Sequence, residues 1–138
     1  MRSWETFQHQ ADIGVRGRGA TLEEAFAQAA LALTAVVSDP ARVRRRDVVS
    51  VRCAAPDVEF LFVDWINALI YQMATRKLLF SDFTVRVEGG QLEASACGES
   101  LDNRRHDPAV EVKGATYTAL RVGREADGNW VAQCVVDV

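Results

Sequence analysis

The sequence has few of the residues that build disulfide frameworks and zinc sites. Its three cysteines are far apart and include no Cys-x-x-Cys pair; they are Cys53, Cys97 and Cys134. An odd number at this spacing argues against both a disulfide framework and a cysteine-based zinc site. Each lies in an apolar or alternating stretch, so we interpret all three as small core residues, which suits a reducing compartment.

Long apolar runs and a surplus of positive charge are also missing. No apolar stretch reaches the roughly 20 residues that span a bilayer, and the N-terminus lacks the apolar core of a signal peptide. We therefore expect a cytoplasmic protein with no membrane association. The formal net charge is −3, whereas proteins that grip nucleic acid by its backbone usually carry a basic surplus. We expect no strong direct binding to nucleic acid and interpret the basic stretch 42–47 as a solvated loop.

Catalytic signatures are absent as well. The sequence has no P-loop, no Gly-x-Ser-x-Gly and no His-Glu-x-x-His motif. Its only two histidines are His9 and His106, so a histidine-rich metal cage is excluded. No cysteine and histidine lie close enough in sequence to suggest a nucleophile with its base. These absences favour a non-catalytic protein.

The composition that remains is that of one soluble domain. Hydrophobic residues make up 49% and charged residues 25% of the 138 positions, as in ordinary globular proteins. A chain of this length buries a sufficient core without disulfides or metal, so we predict a single domain over residues 1–138. Two amphipathic helices are indicated. The first follows a capping box at Thr21-Leu22-Glu23-Glu24 and ends at Asp39-Pro40, and the second spans about 58–75.

Alternating and apolar segments predict strands elsewhere. The opening segment, 4–15, is predicted to be a strand that Gly14, Gly17 and Gly19 break up. Further strands are predicted over 49–53, 83–87, 92–96, 110–113, 117–124 and 130–136, with hairpin turns at Gly89-Gly90 and Asp127-Gly128 and a polar loop over 98–108. The last strand is apolar on both faces, which indicates an interior position. The predicted fold class is α+β, with two helices packed on one face of a largely antiparallel sheet.

Polar residues that can support chemistry gather at three places. The first is His9-Gln10-Ala11-Asp12; the second runs from Glu99 and His106 to Glu111 and Lys113; the third is Asp137, beside Val138. Oxygen ligands from two aspartates, a main-chain carbonyl and the terminal carboxylate would suit a hard divalent cation. The alternative is that His-x-x-Asp forms only a turn or a cap. Glu111 and Lys113 share one predicted strand face, either as a solvated ion pair or as a pair facing a site or partner.

Taken in order, these residues resemble the archease family. His9-Gln10-Ala11-Asp12-Ile13-Gly14 is similar to the family's opening His-Thr-Ala-Asp-Ile-Gly, and 21–26 and 62–67 are similar to parts of its two helices. Gly98-Glu99, His106, Glu111-Val112-Lys113, Thr116-Tyr117 and Asp137-Val138 match the order and spacing of its other motifs. The ordered set covers essentially the whole chain. Gln10 replaces the usual threonine and Thr118 stands where many members have histidine, which leaves open whether His9 and Thr118 contact the site.

The resemblance implies a role in RNA ligation. Archeases activate the RtcB-type ligase of tRNA splicing: they promote its guanylylation and multiple turnover and can broaden its use of nucleotide triphosphates, without joining RNA themselves. By position, the family's metal ligands are Asp12, Asp137 and Val138, for calcium, with magnesium or manganese as alternatives. Lys113 falls at the family's functionally important lysine. The remaining motif residues that are candidates for partner contact are His9, Glu99, His106 and Glu111.

Other functions stay consistent with the sequence. A chaperone-like partner of a tRNA-modifying methyltransferase is the binding alternative, a role also proposed in this family. A metal-dependent phosphohydrolase is the enzyme alternative, which the shortage of acid–base residues disfavours. A purely structural small domain would affect no RNA enzyme.

Overall fold

Eight strands and three helices make up the part of the chain, residues 2–138, that the computed structural model describes. The strands are β1 (Ser3–His9), β2 (Asp12–Gly19), β3 (Asp47–Ala54), β4 (Leu78–Glu88), β5 (Gln91–Ser100), β6 (Gly114–Ala115), β7 (Arg121–Arg124) and β8 (Trp130–Asp137). The helices are α1 (Leu22–Val37), α2 (Val58–Arg76) and the short α3 (Asn103–His106), with a 3-10 turn at Pro40–Arg42. No helix among these residues combines the length and apolar composition needed to cross a membrane.

The strands form two antiparallel sheets. The five-stranded sheet has the order β1-β2-β8-β6, and β7 also pairs with β8; the three-stranded sheet has the order β3-β5-β4. The predicted α+β class is therefore confirmed, with its strands divided between two sheets. β8 lies between β2 and the pair β6 and β7, which confirms the interior position predicted from its two apolar faces.

α1 connects the two sheets. Thr21 caps the helix, because its hydroxyl oxygen accepts a hydrogen bond from the Glu24 amide at 3.1 Å, and the helix ends one residue before Ser38. Its apolar side contacts β2 of one sheet and β4 of the other. Phe26 of α1 is fully buried against Phe62 of α2, with ring centroids 5.1 Å apart. The indole nitrogen of Trp65 donates to the Phe26 carbonyl at 3.0 Å, which links the two helices.

The glycines near the N-terminus have a different role from the one predicted. They do not break a strand but lie inside β2, and the chain reverses earlier, at Gln10 and Ala11. A Cβ atom at Gly17 would collide with backbone atoms of Ala25 and Ala29. The missing side chain therefore lets the backbone of α1 approach β2 closely.

Three predicted segments between 98 and 124 are corrected. The polar loop predicted over 98–108 begins later, because β5 continues to Ser100 and α3 follows. The strand predicted over 110–113 does not form: residues 107–113 have no regular secondary structure, and only Gly114 and Ala115 pair with β8. The strand predicted over 117–124 begins at Arg121, since residues 116–120 turn and Ala119 has a positive φ of 54°.

The cysteines are free, as the odd number and spacing predicted. Cys134 is buried in β8, and Cys53 and Cys97 are partly buried. Burial raises the pKa of the Cys134 thiol to about 12, so this side chain acts as a small apolar core residue.

Candidate functional site at one end of the five-stranded sheet

The turn between β1 and β2 carries the first polar motif. His9 pairs with Asp12 as the last register position of this hairpin. Gln10 adopts the left-handed backbone conformation, with φ of 53°, so that the chain reverses within two residues. His9 and Asp12 are both partly buried. The motif is therefore a hairpin tip that holds an imidazole and a carboxylate at one end of the sheet.

The end of β8 lies beside this tip. Ile13 of β2 pairs with Val136 of β8, so the antiparallel register brings Asp12 and Asp137 next to each other. On the other side of β8, Asp137 pairs with Gly114, and its carbonyl accepts a hydrogen bond from the Lys113 amide at 2.8 Å. This sheet end thus brings together the first residue of β2, Asp12, the last residue of β8, Asp137, and the residue before β6, Lys113. Val138 follows Asp137 directly.

The charges at this sheet end are not neutralised by ion pairs. Among residues 2–138, neither of the two aspartates nor Lys113 takes part in a salt bridge. Asp137 and Lys113 are exposed, and Val138 is partly buried. Two carboxylates, one partly buried and one exposed, and an exposed lysine therefore lie at the same end of the sheet without an ion-pair partner among these residues, an arrangement that suits contact with an ion or a charged partner.

Side chains at this sheet end could supply only some of the ligands of a divalent cation. No group of three His, Cys, Asp or Glu side chains is placed to hold a metal in the described part of the chain. Asp12 and Asp137 supply two carboxylates, and a third ligand would have to be an oxygen of Val138. Carboxylate and main-chain oxygens are the ligands that Ca²⁺ and Mg²⁺ prefer, so the chemistry of these residues is compatible with a divalent cation.

α2 supports the outer edge of β6. The side-chain oxygen of Asn67 accepts a hydrogen bond from the Ala115 amide at 2.9 Å, which occupies a backbone donor that this edge would leave unpaired. Closer to the start of α2, the rings of Phe60 and Tyr117 meet edge to face at 5.6 Å. Sequence reasoning assigned no role to Asn67, because it is one of two side-chain amides in a largely apolar helix, Gln72 being the other, and no local pattern distinguishes it.

Glu99 and His106 do not belong to this sheet end. They form a buried network between β5 and α3, with 4% and 1% of their surfaces exposed. Glu99 accepts from the Arg44 amide at 2.8 Å and pairs with the Arg105 guanidinium at 2.6 Å. His106 contacts the same carboxylate at 3.0 Å. These two candidates are therefore held inside the fold and are not available to a partner.

The hydrogen bonds define the protonation of this network. The His106 Nδ1 atom accepts from the Asp102 amide at 2.8 Å, so the proton is on Nε2 and is donated to Glu99. Burial raises the pKa of Glu99, but the hydrogen bonds from the Arg44 amide, Arg105 and His106 outweigh it and lower that pKa to about 2. The imidazole of His106 is therefore neutral, and the ionised carboxylate of Glu99 is balanced by the Arg105 guanidinium.

Glu111 lies on the irregular segment 107–113. It lines a groove of ≈ 390 Å³ between this segment and the second half of α2, together with Ile70, Met73 and Val112. The side chain is exposed, and no ion pair with Lys113 forms among the described residues. The same-strand ion pair, one of the two alternatives, is therefore absent from these residues, because the predicted strand itself does not form.

Comparisons with known proteins identify relatives over the whole chain. A family model described as the archease protein family matches residues 4–138. The archease of Thermococcus gammatolerans is 43% identical over 142 residues and that of Pyrococcus abyssi 39%, each alignment covering 100% of both chains. The solution structure of protein 1598 of Methanobacterium thermoautotrophicum has a TM-score of 0.86 at 31% identity, covering 99% of both chains.

A more distant solved structure shares the fold alone. It is the crystal structure of an archease from Thermotoga maritima, described as a possible chaperone. Its TM-score is 0.62 at 18% identity, covering 97% of this chain and 96% of that one.

Proposed function

Because this chain belongs to the archease protein family, we propose that it is a non-catalytic activator of an RtcB-type RNA ligase. In this role it promotes guanylylation and multiple turnover of the ligase and broadens the nucleotide triphosphates that the ligase uses. The observation that carries the proposal is the meeting of Asp12, Lys113 and Asp137 at one sheet end, free of ion pairs. Such a sheet end can present charged side chains to the active site of another protein.

The chain's own residues would act by binding and by charge. Asp12, Asp137 and an oxygen of Val138 would hold a divalent cation, calcium or else magnesium or manganese. When bound, such a cation neutralises negative charge on a triphosphate, an effect worth several kcal/mol in general. The Lys113 ammonium adds a point positive charge that can meet a phosphate or a ligase carboxylate. The Lys113 amide donates to the Asp137 carbonyl at 2.8 Å, which holds the backbones of these two residues next to each other.

Multiple-turnover RNA ligation by the cognate ligase tests this function. Limiting ligase, GTP and divalent metal are combined with and without the protein, and ligated RNA and guanylylated ligase are measured. We expect a clear gain in both. Lys113→Ala and Asp137→Asn should each lower the stimulated rate by about tenfold or more, or about 1.4 kcal/mol of lost transition-state stabilisation.

The control is Asp107→Asn. This exposed carboxylate lies on the segment leading to Lys113 and has a positive φ of 47°, which asparagine tolerates. It should stimulate like the unchanged protein. Full stimulation by folded Lys113→Ala and Asp137→Asn would refute the role of the sheet end.

One observation favours a second function. The relative from Thermotoga maritima is described as a possible chaperone, so a chaperone-like partnership with a tRNA-modifying methyltransferase is the alternative. It predicts no gain in ligation with an active ligase, together with complex formation and altered solubility of the methyltransferase.

A further inference from the structure

Most of the large apolar side chains that are exposed lie on α2 or on the segment 110–117, although Val58 is on the opposite side of α2 from Phe60 and Tyr71. Among residues 2–138, seven large apolar side chains are exposed, and five of them lie on α2 or between residues 110 and 117. The five are Val58, Phe60, Tyr71, Val110 and Tyr117. Single exposed apolar residues are ordinary, but a contiguous group marks a contact surface.

Three aromatic residues form the centre of this group. Phe60, Asp64, Asn67 and Tyr71 follow one another at spacings of four, three and four, which places them within an arc of about 60° on α2. Tyr117 reaches the same stripe by its contact with Phe60. Phe60, Tyr71 and Tyr117 are 49%, 64% and 67% exposed. We call Phe60, Asp64, Tyr71 and Tyr117 the aromatic face.

The aromatic face is continuous with the candidate site. Asn67, inside the stripe, binds the Ala115 amide, and Ala115 is two residues from Lys113. Tyr117 lies just beyond, where the Thr116 amide donates to the Val135 carbonyl at 2.9 Å. A partner whose active site receives Lys113 and Asp137 would therefore also come against this face.

The charge of the face is negative. The charged residues of α2 are Glu59, Asp64 and, at its last position, Arg76, and of these only Asp64 lies within the stripe. Asp64 is exposed and forms no ion pair with the described residues. Aromatic rings beside a free carboxylate are complementary to arginine, whose guanidinium stacks on rings and pairs with carboxylates. The same negative charge would repel the phosphates of RNA.

We propose that the aromatic face docks an arginine-bearing surface of the ligase, which binds there while Lys113 and Asp137 reach the ligase active site. This inference rests on the proposed function. The two surfaces have different roles: the aromatic face contributes affinity for the ligase, and the sheet end stimulates the ligation reaction. Buried aromatic and arginine contacts supply most of the binding energy in many protein interfaces, whereas surrounding contacts contribute little.

Binding is measured by isothermal titration calorimetry with the purified ligase, and stimulation by the ligation assay. The double variant Tyr71→Ala/Tyr117→Ala and the charge reversal Asp64→Arg should each weaken binding by about tenfold or more. When either of these variants is supplied in excess over the ligase, it should stimulate ligation as the unchanged protein does. Lys113→Ala should weaken binding by much less than the face variants do, and its stimulated rate should stay about tenfold or more below that of the unchanged protein even when the variant is supplied in excess.

The matched control is Trp4→Ala. Trp4 is an exposed aromatic residue at the far end of β1 from the hairpin tip, so its loss should leave the dissociation constant unchanged. All substituted side chains are exposed, and circular dichroism spectra of the variants should match that of the unchanged protein.

The outcomes separate the two proposals. If the unchanged protein stimulates the ligase but the face variants bind with its dissociation constant, the docking face is overturned and the activator function stands. If the unchanged protein neither binds nor stimulates an active ligase, both fail. If the face variants instead lose self-association or RNA binding, the face belongs to a second copy or to RNA, and the ligase is the wrong occupant.

Discussion

Glu99 is a buried carboxylate with three hydrogen-bonding partners from two distant parts of the chain. The Arg44 amide, the Arg105 side chain and the His106 imidazole all converge on it. A buried charge is tolerated only where such partners replace its water. The network thereby holds α3 and the segment that follows the 3-10 turn against the end of β5.

Replacing Glu99 with glutamine tests this role. The change removes the charge that Arg105 and the Arg44 amide require, and we expect it to lower the free energy of unfolding by about 2–3 kcal/mol. Urea denaturation followed by tryptophan fluorescence measures the difference. The matched control is Glu93→Gln, on the same strand, whose exposed pair with Arg86 at 2.9 Å should contribute no more than about 1 kcal/mol. Equal stability of the two variants would contradict the role given to Glu99.

The same carboxylate predicts a pH dependence. Its pKa in the folded protein is lowered from 4.5 to about 2, so unfolding binds a proton between these values. The stabilisation is fully present above about pH 4.5 and is lost as the pH falls towards 2. Unfolding midpoints measured over this range should fall more steeply for the unchanged protein than for Glu99→Gln. Parallel curves would mean that Glu99 titrates normally.

At the scale of elements, the contact between α1 and β2 depends on absent side chains. Gly17→Ala would place a Cβ against backbone atoms of Ala25 and Ala29, which cannot move without shifting the helix. We expect a loss of about 2 kcal/mol, seen as a thermal midpoint several degrees lower by circular dichroism. Gly123→Ala in β7 is the control, because no atom lies within 4 Å of its added Cβ. That variant should unfold with nearly the original midpoint.

Local sequence patterns predicted the elements that local forces determine. The Thr21 cap, the apolar stripes of both long helices and the Gly89-Gly90 turn each leave a short-range pattern, and each forms. The segment 107–113 has alternating valines, yet its backbone is held by the Val37 and Asp137 carbonyls, which accept from Ala109 and Lys113. Hydrogen-bond partners so distant in sequence produce no local pattern of apolar residues. The strand predicted from the alternating valines was therefore wrong.

At the scale of the whole molecule, the candidate site is assembled from distant segments. Asp12, Lys113 and Asp137 meet because β8 pairs with both β2 and β6, and no spacing in the sequence indicates that pairing. The family resemblance supplied the grouping of the aspartates and the lysine. It also placed Glu99 and His106 among residues that face a partner, whereas their burial assigns them to the interior.

The central position of β8 has a consequence for synthesis on the ribosome. β1 and β2 can pair as soon as they emerge, but the second edge of β2 stays open until residues 130–137 have been made, more than a hundred positions later. An open edge is a template for pairing with other chains. Completion of the five-stranded sheet is thus a late, long-range step, of the kind that slows folding. The same step closes the edge and brings Asp137 beside Asp12, so a chain that still exposes its edge has not yet assembled the tip.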